Sequence, residues 1–470
     1  MNKIENVNTE WLTRPTGDPF ADLGGNVIKE LSRRLPDKNI RELLEYITDR
    51  YVNSWDSKLH AFFLNSKITH NSIKVNSEKI EKTMEYFDSI IDNKAPHELG
   101  YCRISGQKTN LFQSGRESSM LTGSGTFINF HHFFQKGIML SKEVLFRLYF
   151  VPFGVMLLQG KVALIHSNNN EINQFFATEN YKKNNLKDSA SVEDKGVYKS
   201  LHKNPANAVF SFIDELLSNL KNKGSITDAF LTLYHFTNFG ASPELQMYRV
   251  PDTVFQFYDF CLNGRFKEDW NAFVRSHYYS SKNKEAVYNK ENECIELKKK
   301  DSFVQYKYDE YKIWTNWIYN DLLNGKSLLK SFLKYSKEHK LKIRIVEVYQ
   351  IGIRNMKEQT IEKIKELASF IVNNQEKDDI GKSVKKLNGI KNSGLLRRFI
   401  LKEIIVKNYN CKNEKPIVTL EDYVEYLFPD GSSWMEIRDI LLITIYQNLH
   451  EKGIDIGAVV TEESEEEKNN

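Results

Sequence analysis

The chain has four cysteines in 470 residues, Cys102, Cys261, Cys294 and Cys411, and they stand far apart. No two have CxxC spacing and no histidine pair follows one, so neither a disulfide framework nor a zinc finger is indicated. The expected setting is a reducing cytoplasm. Long apolar runs are missing too. The longest stretch without charged, amide or aliphatic hydroxyl side chains is 148–158, which contains Pro152 and Gly154. A membrane span needs about 18 apolar residues, so no membrane segment is expected. The first twelve residues lack the basic start and apolar centre of a secretory signal. Also missing are a GxxxxGK[ST] phosphate loop, a dinucleotide fingerprint, HExxH and GxSxG, which removes the commonest catalytic frameworks.

The chain does have an ordinary globular balance, 40% hydrophobic and 27% charged, with 29 Phe and 23 Tyr. Its length suggests about three domains. The net charge of +4 is unevenly spread. Residues 326–407 carry 20 Lys and Arg against 9 Asp and Glu, or +11, which leaves 4 − 11 = −7 for the rest. Five of those negative charges lie in 462–467. A basic region attracts a phosphate backbone by Coulomb attraction and counterion release, although a solvated helical face has the same composition.

Periodicity predicts helices at 27–35, 39–65 and 78–92, with Asp18 and the glycines before Val27 in a turn. Loops are expected over 101–134, buried strands over 145–166 with a turn at Gln159-Gly-Lys161, and a strand pair at 229–239 and 244–250. The polar segments 182–207 and 280–302 read as exposed loops or linkers. Beyond Tyr311, apolar stripes at Ile361, Ile364, Leu367, Ile371 and at Ile437, Leu441, Ile445, Leu449 predict an antiparallel helical bundle. The fold class expected is α+β, a mixed α/β domain over 1–325 followed by a helical bundle over 326–470.

The adjacent His131 and His132 would point to opposite faces of a strand, which makes a poor metal pair. Asp18 reads as the cap of a turn before Pro19 rather than a catalytic carboxylate. The segment 107–126 combines glycine with short polar side chains. Gln107, Asn110 and Gln113 could bond base edges and Lys108 a phosphate, or the segment is a plain surface loop. Lys385, Lys386, Lys391, Arg397, Arg398 and Lys402 cluster about Leu387-Asn-Gly-Ile-Lys-Asn-Ser-Gly394 and could follow a nucleic-acid backbone.

Taken in order, several motifs resemble one family, the large subunit of type I-B CRISPR surveillance complexes, in its CXXC–CXXC branch. The resemblance covers 11–166. It begins with Trp11 and Thr16-Gly-Asp-Pro-Phe-Ala-Asp-Leu-Gly24. It continues through Cys102-Arg-Ile-Ser-Gly106, Asn129-Phe130, Gly137-Ile-Met-Leu-Ser-Lys-Glu-Val144, Phe150-Val-Pro-Phe-Gly154 and Gly160. Three of the four metal positions hold Ser105, Ser141 and Val144, leaving Cys102 as a relic. Zinc needs about four N or S ligands, so no metal and no other cofactor is expected, and the knuckle would persist as a shape held by packing. The resemblance implies a non-catalytic protein whose partners are crRNA, target double-stranded DNA, the backbone, handle-capping and small subunits, and a recruited helicase-nuclease. It further implies that 107–126 lies nearest the protospacer-adjacent motif. Met356 precedes an amphipathic helix and could start a separate small-subunit product, 356–470. The alternatives are a metal-dependent nuclease using His131 and His132, and a helical scaffold without nucleic-acid contact.

Overall fold

A computed structural model describes residues 2–122, 137–189, 195–219, 228–237, 244–299, 302–411, 415–431 and 433–456. His131, His132 and Asn129-Phe130 lie outside them. The fold is α+β, as expected. The chain forms two compact units, Met1–Asp252 and Thr253–Asn470. The step in charge near Lys326 therefore falls inside the second unit.

The first unit opens with α1 (Pro19–Arg34). Asp18 starts it by accepting from the amides of Phe20 at 3.0 Å and Ala21 at 2.8 Å, with Pro19 at the position where a missing N–H costs nothing. The helix thus begins well before 27, and Gly24 and Gly25 lie inside it. Next come α2 (Ile40–Asp49), with a capping box from Asn39 and Glu42, and α3 (Asn76–Ile91). The helix predicted to run to 65 stops earlier. One π turn, Arg50–Ser54, follows α2, and then Asp56 and Ser57 take positive φ. Amphipathic spacing persisted past the true end because the following loop also buries Leu59, Phe62 and Phe63.

An antiparallel sheet follows, β1 (His97–Tyr101), β2 (Lys108–Ser114) and β3 (Ile138–Ser141), with β2 in the centre. The region read as loop thus contains a seven-residue strand. Helix α4 (Lys142–Phe150) replaces the first of the strands expected over 145–166. A continuous apolar run cannot tell a buried helix from a buried strand. Here the Ser141 hydroxyl decides by capping the Val144 amide at 3.3 Å. After a 3-10 turn come β4 (Met156–Leu158) and β5 (Lys161–Ser167), joined by the anticipated turn at Gln159-Gly160. Helices α5 (Asn170–Ser189) and α6 (Pro205–Asn219) take up the two ends of the supposed linker. β6 (Leu231–Thr237) and β7 (Glu244–Val250) complete an antiparallel sheet in the order β4-β5-β6-β7.

The second unit holds α7 (Asp252–Cys261), α8 (Lys267–Arg275), β8 (Tyr278–Tyr279), β9 (Val287–Asn289), β10 (Cys294–Lys299), β11 (Ser302–Tyr306), α9 (Tyr308–Tyr311), β12 (Thr315–Asn316) and α10 (Trp317–Leu323). The segment 280–302 therefore contains strands β9 and β10, with exposed turns about them and Cys294, Ile295 and Leu297 buried. Beyond α10 every regular element among the described residues is helical: α11 (Leu329–Glu338), α12 (Ile343–Gly352), α13 (Glu358–Asn373), α14 (Lys377–Asn388), α15 (Ser393–Phe399), α16 (Val406–Asn410) and α17 (Trp434–Lys452). α17 runs through the centre of the bundle and packs against α11 and α13. Both predicted stripes are buried, Ile364, Leu367 and Ile371 in α13 against Leu441 and Ile445 in α17.

Candidate nucleic-acid interface and the relic knuckle

Two distant segments converge at the start of α4. The turn 102–107 links β1 to β2 through Cys102 N–H to Gln107 O and Gly106 N–H to Cys102 O, both 2.9 Å. Gly106 sits at φ +69°, a backbone region that costs a side chain with a Cβ about 1–2 kcal/mol. Against this turn lies the β3–α4 corner, where the Ser141 amide donates to Cys102 Sγ at 3.3 Å. Arg103 N–H reaches Met139 O at 3.4 Å. Cys102, Ser141 and Val144 are all buried, and Cys102 and Val144 belong to one apolar cluster. A packed valine and a backbone-to-sulfur hydrogen bond thus stand where the resemblance places metal ligands. This donor set does not fit zinc. Among the described residues no group of three or more His, Cys, Asp or Glu could hold a metal ion.

The Thr16–Gly25 motif supports the same corner from behind. Arg147 of α4 is buried, and its guanidinium donates to Asp22 Oδ1 and Ala21 O at 2.7 Å and Arg14 O at 2.8 Å. Asp22 also accepts from the Thr16 amide and hydroxyl at 2.8 Å and the Gly17 amide at 2.9 Å. Burial alone would push the Asp22 carboxyl up; His166 nearby at 3.9 Å and the hydrogen bonds from Thr16 and Gly17 prevail and hold it at about 2. Gly24 lets α1 and α4 touch, because a Cβ there would lie 1.8 Å from Arg147 O. The motif therefore clamps two helices. Asp18 is a cap.

The pleat of β2 divides the four residues assigned to motif reading. Lys108 and Asn110 lie on one face; Gln113 lies on the other, exposed. Gln107 is in the turn, with its Oε1 buried and unbonded. Facing Lys108 and Asn110 across the ladder are Tyr101 and Leu99, 66% and 71% exposed. Lys108 Nζ lies 5.9 Å from the Tyr101 ring. An exposed ring, a cation and an amide on one face can stack a base, hold a phosphate and bond a base edge. Sequence reasoning missed Tyr101 and Leu99. Only the register of β1 against β2 makes them neighbours.

The six basic residues expected to follow a nucleic-acid backbone are all exposed. Lys385 and Lys386 end α14, Lys391 lies in the turn to α15, Arg397 and Arg398 end α15, and Lys402 is in the following π turn. Asn392 caps α15 through the Leu395 amide at 2.9 Å. Arg438 of α17 fastens the turn by donating to Ile390 O at 2.9 Å. The residues are not equally available. Lys386 bonds Glu403 at 2.5 Å, and with Lys407 it holds that carboxyl below its usual range. Arg397 lies over the Phe428 ring at 4.9 Å and near Tyr423 at 6.0 Å. Lys391, Arg398 and Lys402 make no ion pair with the described residues. Beside the arginines is an open groove of about 360 Å³ with Leu401, Leu420 and Tyr423 in its walls.

No helix among the described residues is long and apolar enough to cross a membrane. No match to this chain is found among curated proteins. Residues 334–470, from within α11 to the end, match the family described as the DevT C-terminal domain.

Proposed function

We propose that this protein is the non-catalytic large subunit of a type I-B crRNA-guided surveillance complex in the cytoplasm. In this reading the first unit inspects the protospacer-adjacent motif of a target duplex and the basic helices of the second unit carry nucleic-acid backbone. The complex then recruits the helicase-nuclease that cuts, while base pairing with the guide reads the remaining sequence. The observation that supports the reading most is the knuckle. The resemblance requires the segments around 102 and 141 to meet, and the amide of Ser141 lies 3.3 Å from Cys102 Sγ. A folded knuckle without its ligands fits a lineage in which packing took over from the metal.

The test is co-expression of the chain with the products of its neighbouring genes and a repeat-containing transcript. The expected result is a complex that co-purifies with guide RNA and prefers targets bearing one short motif. Replacing Lys108 and Asn110 together relaxes that preference. Absence of RNA, or turnover of DNA by the purified chain with Mg²⁺, contradicts the proposal.

A further inference from the structure

The first unit contains a cavity of about 140 Å³ between α3, α4 and the loops at 63–68 and 117–118. Its inner wall is Phe63, Ile68, Thr83, Phe87, Leu145 and Tyr149, all buried. The aromatic rings are fixed by one another. Phe87 meets Tyr149 edge-on at 4.7 Å, and Phe63 stacks on Tyr149 at 5.7 Å. Tyr149 is held further by its hydroxyl against Thr48 at 2.8 Å. The loops are anchored as well: Leu64 N–H donates to Arg116 O at 2.9 Å, and Thr69 Oγ1 to Phe63 O at 2.7 Å. The cavity is thus formed before anything enters it, and preformed walls remove the ordering cost of binding.

Size and lining define what fits. An apolar cavity of roughly 150 Å³ takes one benzene-sized molecule. The exposed lining residues Asn65, Lys67 and Glu117 mark the solvent side. Glu117 Oε1 accepts from the Gly115 amide at 3.2 Å, so the carboxylate is oriented and keeps an oxygen for another donor. Ser118 beside it is held by Ser114 at 2.8 Å. We propose that this cavity is a binding site for a single uncharged six-membered ring bearing one hydrogen-bond donor, of the phenol type. The ring lies among Phe63, Phe87 and Tyr149, and its donor faces Glu117. The site stands independently of the nucleic-acid reading above.

The experiment uses the full chain with isotope-labelled Ile and Leu methyl groups and titrates phenol and toluene separately. Phenol is expected to give saturable shifts at Ile68 and Leu145. Glu117→Gln weakens phenol by roughly fivefold, the loss of a charged acceptor, and leaves toluene unchanged. Thr83→Leu occupies part of the space and weakens both rings by more than about tenfold. Two results overturn the proposal: no saturable shift with either ring up to its solubility, or equal effects of Glu117→Gln on both. Glu117→Gln changes an exposed residue, so the test survives if Thr83→Leu does not fold.

Discussion

Asp22 and Arg147 set the energetics of the first unit's centre. Both are buried, so removing one partner leaves the other charged and without its ion pair, which costs about 3–5 kcal/mol. Arg147 retains three backbone acceptors, Ala21, Trp11 and Arg14, so Asp22→Asn belongs at the lower end, about 3 kcal/mol. Urea titration followed by the tryptophans of the first unit should show it. The pH dependence follows from the same carboxylate. Its folded value, about 2, lies below the ordinary 3.8. The stabilisation is therefore complete above the ordinary value and disappears as pH falls through about 2, a loss on the order of 2 kcal/mol. Asp22→Asn should flatten the acid limb of the stability profile between those limits. A profile identical to that of the unaltered chain contradicts the assignment. Gly24→Ala tests the helix contact directly. The added carbon meets backbone, not a movable side chain, so about 2 kcal/mol or more is expected from overpacking, read as a lower urea midpoint.

At the scale of elements, the knuckle shows what sequence can and cannot convey. The resemblance located both halves, 102–106 and 141–144, though it could not say how they are joined. That information is in the antiparallel register, where Leu111 opposes Ser141 and so places the end of β3 beside the middle of β2, next to the turn that precedes it. The strand itself was hidden, because Lys108-Thr-Asn-Leu-Phe-Gln-Ser mixes amides with apolar residues and sits among glycines. Its alternation is imperfect because Leu111 and Phe112 are both buried, one on each face. Helix α1 was misplaced for a related reason. Gly24-Gly25 normally punctuates a helix, and only the close approach of α4 explains it. By contrast the stripes of α13 and α17 were fully legible, since long amphipathic helices state their period repeatedly. If the knuckle retains a metal-site shape, restoring its ligands should restore the metal. The variant Ser105→Cys, Ser141→Cys, Val144→Cys is expected to bind one zinc per chain by elemental analysis and to melt at higher temperature with zinc than with chelator. A chain that takes up no zinc refutes the inherited shape.

For the whole molecule, the unit boundary bears on the product expected from Met356. That residue lies between α12 and α13, well inside the second unit. A 356–470 fragment lacks α11, which packs on α17. It should bind a hydrophobic dye and unfold at lower urea than a fragment beginning at 253, unless a partner covers that side of α17. Equal stability of the two fragments refutes this reading of the bundle. In the proposed reading the chain holds polyanions through the basic surface of its second unit. Surface pairs such as Lys386–Glu403 contribute only ~0–1 kcal/mol, so they can yield to a phosphate, but Lys391, Arg398 and Lys402, which pair with none of the described residues, should dominate. The most direct measurement is single-stranded DNA affinity across a salt series for the intact chain and for a variant with those three changed to Gln. Log affinity is expected to fall linearly with log salt, with a slope shallower by roughly two units in the variant. Salt-independent binding, or the same slope in both proteins, contradicts it.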